Sequence, residues 1–379
     1  MGKSREEEHK LFLSWLIETI ENEKIDLLIV AGDIFDTGTP PNYARELYYN
    51  VLKSLLNSSC SYIVVVAGNH DSVSTLKAPQ ALLEMFNIFV IASGEERQQL
   101  IEIHKNKELQ AVVCAVPFLR DAVVKKSFSG ETMNEKEYSV NEGIKKHYTD
   151  VYQKALTRRA NKEIPIIATG HLTTVGSKSS ESEREIYIGG TLDIDSDFLG
   201  SSFDYVALGH LHINQKVQQE HVRYSGSPIA LSFSEASSQK KVNIIEFVDK
   251  EMSVKELNIP TFRALIVLRG NLEEIETALA LISDKQSWIE IHLNDENPYA
   301  SNKAIRDKAE TLDLIILAIK IDKTVDALHL KSSTALSLNE FSPLEIFNKR
   351  LEQEELEDEA LKEALNKEFK LLVEELITP

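Results

Sequence analysis

The sequence predicts an α/β layered fold, and three observations carry that reading. Short apolar runs at 25–31, 61–67, 111–117, 164–168 and 204–208 have the length and β-rich make-up of strands buried on both faces. Polar or helical stretches alternate with them, the order that layered α/β domains require. An amphipathic helix precedes the first run, because Phe12, Trp15, Leu16 and Ile20 fall on one stripe at helical spacing. Ser4 with Glu7 predicts a capping box at its start.

Further along, residues 120–160 are mostly polar and predict helix toward their end, and the polar stretch 176–186 predicts a loop. A boundary falls near Pro260. Beyond it the pattern reads strand 262–269, helix 271–283, strand 287–293, helix 300–311 and strand 313–321, enough for a small appended βαβαβ domain. Residues 322–341 look like a linker. Ser342-Pro343-Leu344-Glu345 then joins a capping box to proline at the first helical position, a strong start signal. Leu361, Leu365, Phe369, Leu372 and Leu376 form the stripe of a second terminal helix.

At 379 residues the chain is long enough for two domains. No apolar run approaches the roughly 20 residues of a membrane span, and residues 1–8 lack the apolar centre of a secretory signal. Cys60 and Cys114 belong to no C-x-x-C pair, which excludes a zinc knuckle and predicts buried free thiols in a reducing compartment. The chain reads as cytoplasmic. Its net charge of −18 argues against binding nucleic acid by charge alone. Bound divalent cations would reverse the local sign where a phosphate arrives. Residues 341–379 carry eleven Asp/Glu against five Lys/Arg, so a third of the imbalance lies in the tail.

Four of the apolar runs end alike. Residues 27–31 lead into Gly32-Asp33-Ile34-Phe35-Asp36, and residues 62–67 into Gly68-Asn69-His70-Asp71. Residues 165–169 lead into Gly170-His171, and residues 205–208 into Gly209-His210-Leu211-His212. Each is strand, then glycine, then a side chain able to bind a metal. Strand C-termini in an α/β sheet converge on one edge, where such folds place their sites, and glycine lets the backbone turn there and approach closely. A lone Gly-Asp is usually a turn or helix cap, but three polar groups together after a buried strand are costly to hide. The mixture of carboxylate, amide oxygen and imidazole suits Mn²⁺, Fe²⁺ or Zn²⁺ better than Ca²⁺. His9, His104, His147, His221, His292 and His329 have no such context and read as surface or structural.

The order G-D-x-x-D, G-N-H-D, G-H, G-H-x-H resembles the calcineurin-like metallophosphoesterases and, within them, the bacterial SbcD nuclease subunits, counterparts of the eukaryotic double-strand-break repair nuclease. The likeness spans essentially the whole chain and includes Lys3-Ser4-Arg5-Glu6, Phe35-Asp36-Thr37-Gly38 with Pro40-Pro41, Gly170–Gly176 and Tyr224-Ser225-Gly226-Ser227-Pro228. It implies a β-sandwich flanked by helices over residues 1–260, a DNA-selecting cap over 261–323, a linker over 324–341 and helices at 342–379 that dock an SbcC-type coiled-coil ATPase. It implies a bridging role for Asp33 between two ions, most simply Mn²⁺. Asn69, His171 and His210 would complete one site, His212 would contribute to the other, and His70 would stand at the scissile phosphate. Asp36 and Asp71 would orient loops or histidines. No G-x-x-x-x-G-K-[ST] is present, so any ATP dependence would belong to the partner. The implied activity is exonuclease and endonuclease cleavage of double-stranded DNA ends and hairpins in repair, recombination and replication, by a homodimer within a heterotetramer and with no membrane partner.

The family pattern opens with a further strand ending in D-x-H, and no D-x-H precedes Asp33 here. The resemblance therefore implies one well-held metal, a second site reduced to Asp33 and His212, and a sheet short of its first strand. A reading frame begun late is the cheaper explanation; the competing one is a degenerate subunit that keeps partner binding without cleavage. A small-molecule phosphatase on the same fold is the other enzymatic alternative.

Overall fold

The computed structural model describes residues 3–94, 99–124, 133–179, 183, 194–248, 251–295, 298–321, 365 and 369. The chain divides into two compact units, residues 1–322 and 323–379. In the second, Leu365 and Phe369 are helical; the expected linker and the rest of the terminal helix pair lie outside the described residues, as does His329.

The first unit opens with helix α1 (Glu6–Glu23), strand β1 (Leu27–Ala31), α2 (Asn42–Leu55), β2 (Tyr62–Val66), the short helices α3 (Val73–Lys77) and α4 (Gln80–Glu84), and β3 (Ile88–Ile91). β1, β2 and β3 make a parallel sheet in that order. Its β-branched centre, Ile63 to Val66, is buried on both faces, as a strand covered from two sides must be. One face packs on α1 and α2 through Ile20, Leu52, Leu55, Ile63 and Val65.

Next come β4 (Leu100–Lys105), β5 (Glu108–Ala115), α5 (Asp121–Val124), α6 (Met133–Arg159), β6 (Ile166–His171), α7 (Asp197–Ser202), β7 (Tyr205–Gly209), β8 (Gln215–Val217) and β9 (Gln219–Tyr224). Their six strands form one sheet in the order β4-β5-β6-β7-β9-β8, parallel from β5 through β9. Val140, Ile144, Tyr148, Val151 and Ala155 recur on one face of α6 and bury it on this sheet. The two sheets meet through Val64, Val66, Ile91, Val113, Ala115 and Ile167. The layers are thus helix, sheet, sheet, helix. This is the α/β fold expected from the sequence.

A hairpin of β10 (Lys241–Val248) and β11 (Glu251–Asn258) follows and covers the inter-sheet core with Ile245, Phe247 and Met252. Then β12 (Leu265–Gly270), α8 (Leu272–Leu281), β13 (Trp288–Leu293), α9 (Pro298–Thr311) and β14 (Ile315–Ile321) complete the unit. These three strands form a parallel sheet with a core of their own, centred on Ile275, Ile289, Ile291 and Ile305. Its Leu265 and Trp288 pack on Phe233. Arg5 and Arg263 stack against the Trp288 ring at 5.1 and 4.7 Å from its centroid. Both arginines also ion-pair with buried Glu8, so the first helix is tied to this module.

Several elements differ from the sequence expectation. The Ser4–Glu7 capping box does not form: Arg5 is the N-cap and makes no side-chain cap bond. Its guanidinium instead binds Glu8 and the Ala230 carbonyl. That long-range bond outweighs the local signal. The β3–β4 segments, the β8–β9 pair and the β10–β11 hairpin are additions. Among the described residues no helix is long and apolar enough to cross a membrane.

Candidate metal centre

β1 and β2 end at the same edge of one sheet, and β6 and β7 at the facing edge of the other. The loops that leave them bring Asp33, His171 and His210 together, with one ligand atom from each lying within 4.8 Å of the others. The two histidine rings are 5.3 Å apart and nearly perpendicular. Asp33 and His210 both hold positive φ, 51° and 93°, a conformation that non-glycine residues adopt at a cost and that clusters at functional sites. Close approach explains Gly68: a Cβ there would overlap the Asp33 carboxylate and its backbone nitrogen.

The hydrogen bonds define what this cluster can hold. His171 Nδ1 lies 2.9 Å from the Ala31 carbonyl oxygen, which can only accept, so Nδ1 carries the proton. That leaves Nε2, which lies 2.9 Å from Asn69 Oδ1 and 3.2 Å from Asp33 Oδ2. In the neutral ring three lone pairs therefore converge on one point. Such a point suits a cation. The donor set of carboxylate, amide oxygen and imidazole is that of a borderline divalent metal. His210 is ready for the same role. Burial, with His171 beside it, pushes its pKa down to about 3, so the ring is neutral at pH 7 and its lone pair is available. Burial alone would raise the Asp33 pKa; in the protonated form of His171, Nε2–H would donate to Asp33, and that bond and charge, with the His70 N–H, outweigh burial and hold the Asp33 pKa below the usual value.

The remaining residues surround this cluster. His70 donates its backbone N–H to Asp33 Oδ1 at 3.1 Å. Its ring Nδ1 lies 2.7 Å from the Asp36 carbonyl oxygen, which fixes Nδ1 as the donor and leaves Nε2 for chemistry. The Asp36 carboxylate is largely exposed and 3.6 Å from the same nitrogen, so it is the backbone of Asp36 that orients the ring. Asp71 is 1% exposed. Its carboxylate accepts the N–H groups of Ile34, Phe35 and Gly68 at 3.1, 3.0 and 2.8 Å, pinning the β1 and β2 loops to each other. His212 is not among the three clustered residues. It sits beside Glu183 and Glu235.

Arg120 was not among the residues expected from the sequence. This side chain lines an open cleft with Thr39, Asn69, His70, Ser72 and Ser74. It follows the run 111–117, whose end carries no glycine-ligand signature; a cation just past a buried strand was the available signal. Phe118 in the same loop donates its N–H to the Ala67 carbonyl and stacks edge-on to His171. Of the histidines read as surface or structural, His147 is buried on Gln99 and His221 is bonded to the Gly200 carbonyl.

Comparison with known proteins gives the chain's family. Residues 8–214 match the family described as calcineurin-like phosphoesterase, and residues 261–355 match the domain described as the type 5 capsule protein repressor C-terminal domain. The chain is 39% identical over 367 residues to the SbcD subunit of the SbcCD nuclease from Escherichia coli K12, covering 94% of this chain and 90% of that protein. It is 32% identical over 300 residues to the corresponding SbcCD nuclease subunit of Bacillus subtilis, covering 77% and 75%. The Rhodobacter capsulatus protein of the same name is 32% identical over 255 residues, covering 65% and 62%.

Proposed function

The chain belongs to the calcineurin-like phosphoesterases and, within them, to the SbcD nuclease subunits, and from that membership we propose that it is the metal-dependent nuclease of an SbcCD-type complex, cleaving phosphodiester bonds at double-stranded DNA ends and hairpins. The observation that carries the reading is the convergence of Asp33 Oδ2, Asn69 Oδ1 and His171 Nε2 on one point, with His210 beside it. Asp33, Asn69, His171 and His210 would hold one divalent ion, most simply Mn²⁺, and Asp33 with His212 would contribute to a second. Ions bound there supply charge that neutralises the phosphate and lowers the pKa of water.

The chain's own residues do the rest. Asp71 holds the two loops in register, so Asp33 and Asn69 face the same point. His70, its Nδ1 proton held by the Asp36 carbonyl, turns Nε2 toward the cleft and handles the proton of the leaving oxygen. Arg120, which lines the same cleft as His70 and reaches the Asp71 carbonyl at 3.5 Å, would fit a neighbouring phosphate and offset the acidity of the chain locally. Residues 261–323 would act as the DNA-selecting cap, and residues 342–379 would dock an SbcC-type ATPase, two copies of each chain making the complex.

His70→Ala tests the reading. Mn²⁺-dependent cleavage of linear duplex DNA should fall by about 10²- to 10⁴-fold, the usual contribution of a positioned acid–base group, while bound metal measured by equilibrium dialysis stays at the parent level. Metal binding without cleavage in the parent chain would leave a partner-binding subunit in place of a nuclease. Cleavage confined to small phosphate esters would favour a phosphatase on the same fold.

A further inference from the structure

His212 is held more elaborately than any other candidate ligand. Its backbone N–H donates to Glu183 Oε1 at 2.6 Å. Its carbonyl oxygen accepts from the Ser227 N–H at 3.1 Å and from Lys240 Nζ at 2.9 Å. Its ring Nδ1 lies 3.4 Å from Glu235 Oε1. Lys240 and Glu235 are themselves buried, at 8% and 2% exposure, and such charges are costly inside a protein unless fully paired. Here they are: the three N–H bonds of Lys240 reach Glu235 Oε2 at 2.5 Å, Ser227 Oγ at 2.8 Å and the His212 carbonyl. Glu235 Oε2 is also fixed by the Leu231 N–H at 3.2 Å. One oxygen of Glu235 is thus locked by Lys240, and the other faces the imidazole with Ser232 Oγ also 3.5 Å from it.

We propose that Glu235, clamped by Lys240, is the positioning residue that sets the His212 ring, keeping the proton on Nδ1 and presenting Nε2 as the metal-binding nitrogen. The inference rests on the reading of His212 as a ligand. Its physical basis is general: a ligating histidine gives its second ring N–H to a carboxylate that fixes tautomer and orientation. Glu183 is less well placed for this part: its Oε1 lies farther from Nδ1, at 3.8 Å, and is engaged by the His212 N–H.

Glu235→Gln makes the test sharp. The Lys240 ammonium has no acceptor of its own to offer, so it claims the new amide oxygen and turns the NH₂ toward His212 Nδ1. A donor there reverses the tautomer. In ¹⁵N-histidine NMR of the metal-free full chain, with His212→Ala to assign the resonance, the parent should show the proton on Nδ1 and Glu235→Gln should show it on Nε2. The double variant Glu235→Leu/Lys240→Met replaces the buried pair with apolar side chains and serves if the single variant fails to fold; with no acceptor at position 235 it should lose the parental preference for the proton on Nδ1. A parental tautomer retained in either variant overturns the proposal. Mn²⁺ equilibrium dialysis separates the two readings: Glu235→Gln should weaken the ion that His212→Ala also weakens, by about 10- to 100-fold. Should His212→Ala leave Mn²⁺ binding untouched while the tautomers behave as stated, the ligand reading fails and the positioning of the ring stands.

Discussion

Asp71→Ala should cost the metal-free protein about 4 kcal/mol in urea unfolding, at three N–H groups losing about 1–3 kcal/mol each less some recovery by water. The residue is 1% exposed, and the N–H groups of Phe35 and Gly68 that it satisfies are buried with it. Burial raises the pKa of this carboxyl while the three backbone donors pull it down. Among the described residues those donors, and no ion pair, are what it serves. Asp71→Asn keeps one carbonyl acceptor and should cost less than half as much. The same substitution to alanine should weaken Mn²⁺ binding, because Ile34 and Phe35 follow Asp33 directly and hold it at its positive φ. Equal stability of Asp71→Ala and the parent would show that the β1 and β2 loops are held by something else.

Gly209→Ala should be comparably severe. A Cβ at this position would overlap the Ala31 carbonyl oxygen and come within 3.1 Å of His171 Nδ1. Ala31 is backbone at the end of β1, so relief requires β1 and β7 to move apart. That movement breaks the bond between His171 Nδ1 and Ala31, which fixes the tautomer of a candidate metal ligand. We expect a loss of about 3 kcal/mol or more, at the upper end for overpacked sites, together with weaker metal binding. Thermal melting with and without Mn²⁺ separates the two effects. A variant that melts with the parent and keeps its Mn²⁺ response would show that the two sheet edges are not in close contact.

The parts of this molecule that were legible in the sequence are those whose signal is local. Residues 62–67 form a buried β-branched run closed by Gly68-Asn69-His70-Asp71, and both the strand and the placing of Asn69, His70 and Asp71 at its end follow from that stretch alone. The βαβαβ module at 265–321 was legible for the same reason, each element carrying its own periodicity. β11 should have been: its exposure alternates residue by residue over Glu251–Lys255, but its charged positions mask the apolar ones in composition. The capping box at Ser4 failed because Arg5 is drawn to Ala230, 225 residues away. Arg120 was hidden because its local signal, a cation just past a buried strand, does not by itself mark a cleft. Glu235 and Lys240 were beyond reach for a stronger reason. Only the fold brings residues 183, 212, 227, 235 and 240 to one place, and a lysine and a glutamate five residues apart read as surface until their burial is known.

The metal-dependent cleavage proposed for this chain depends on the point shared by Asp33 Oδ2, Asn69 Oδ1 and His171 Nε2 being a divalent-metal site. Equilibrium dialysis of Mn²⁺ against the full chain, the parent beside Asp33→Ala and His171→Ala, addresses it most directly. We expect at least one ion bound per parent chain, and its loss from both variants while their circular dichroism remains that of a folded protein. Mn²⁺ held equally by all three proteins would contradict a metal site at that point.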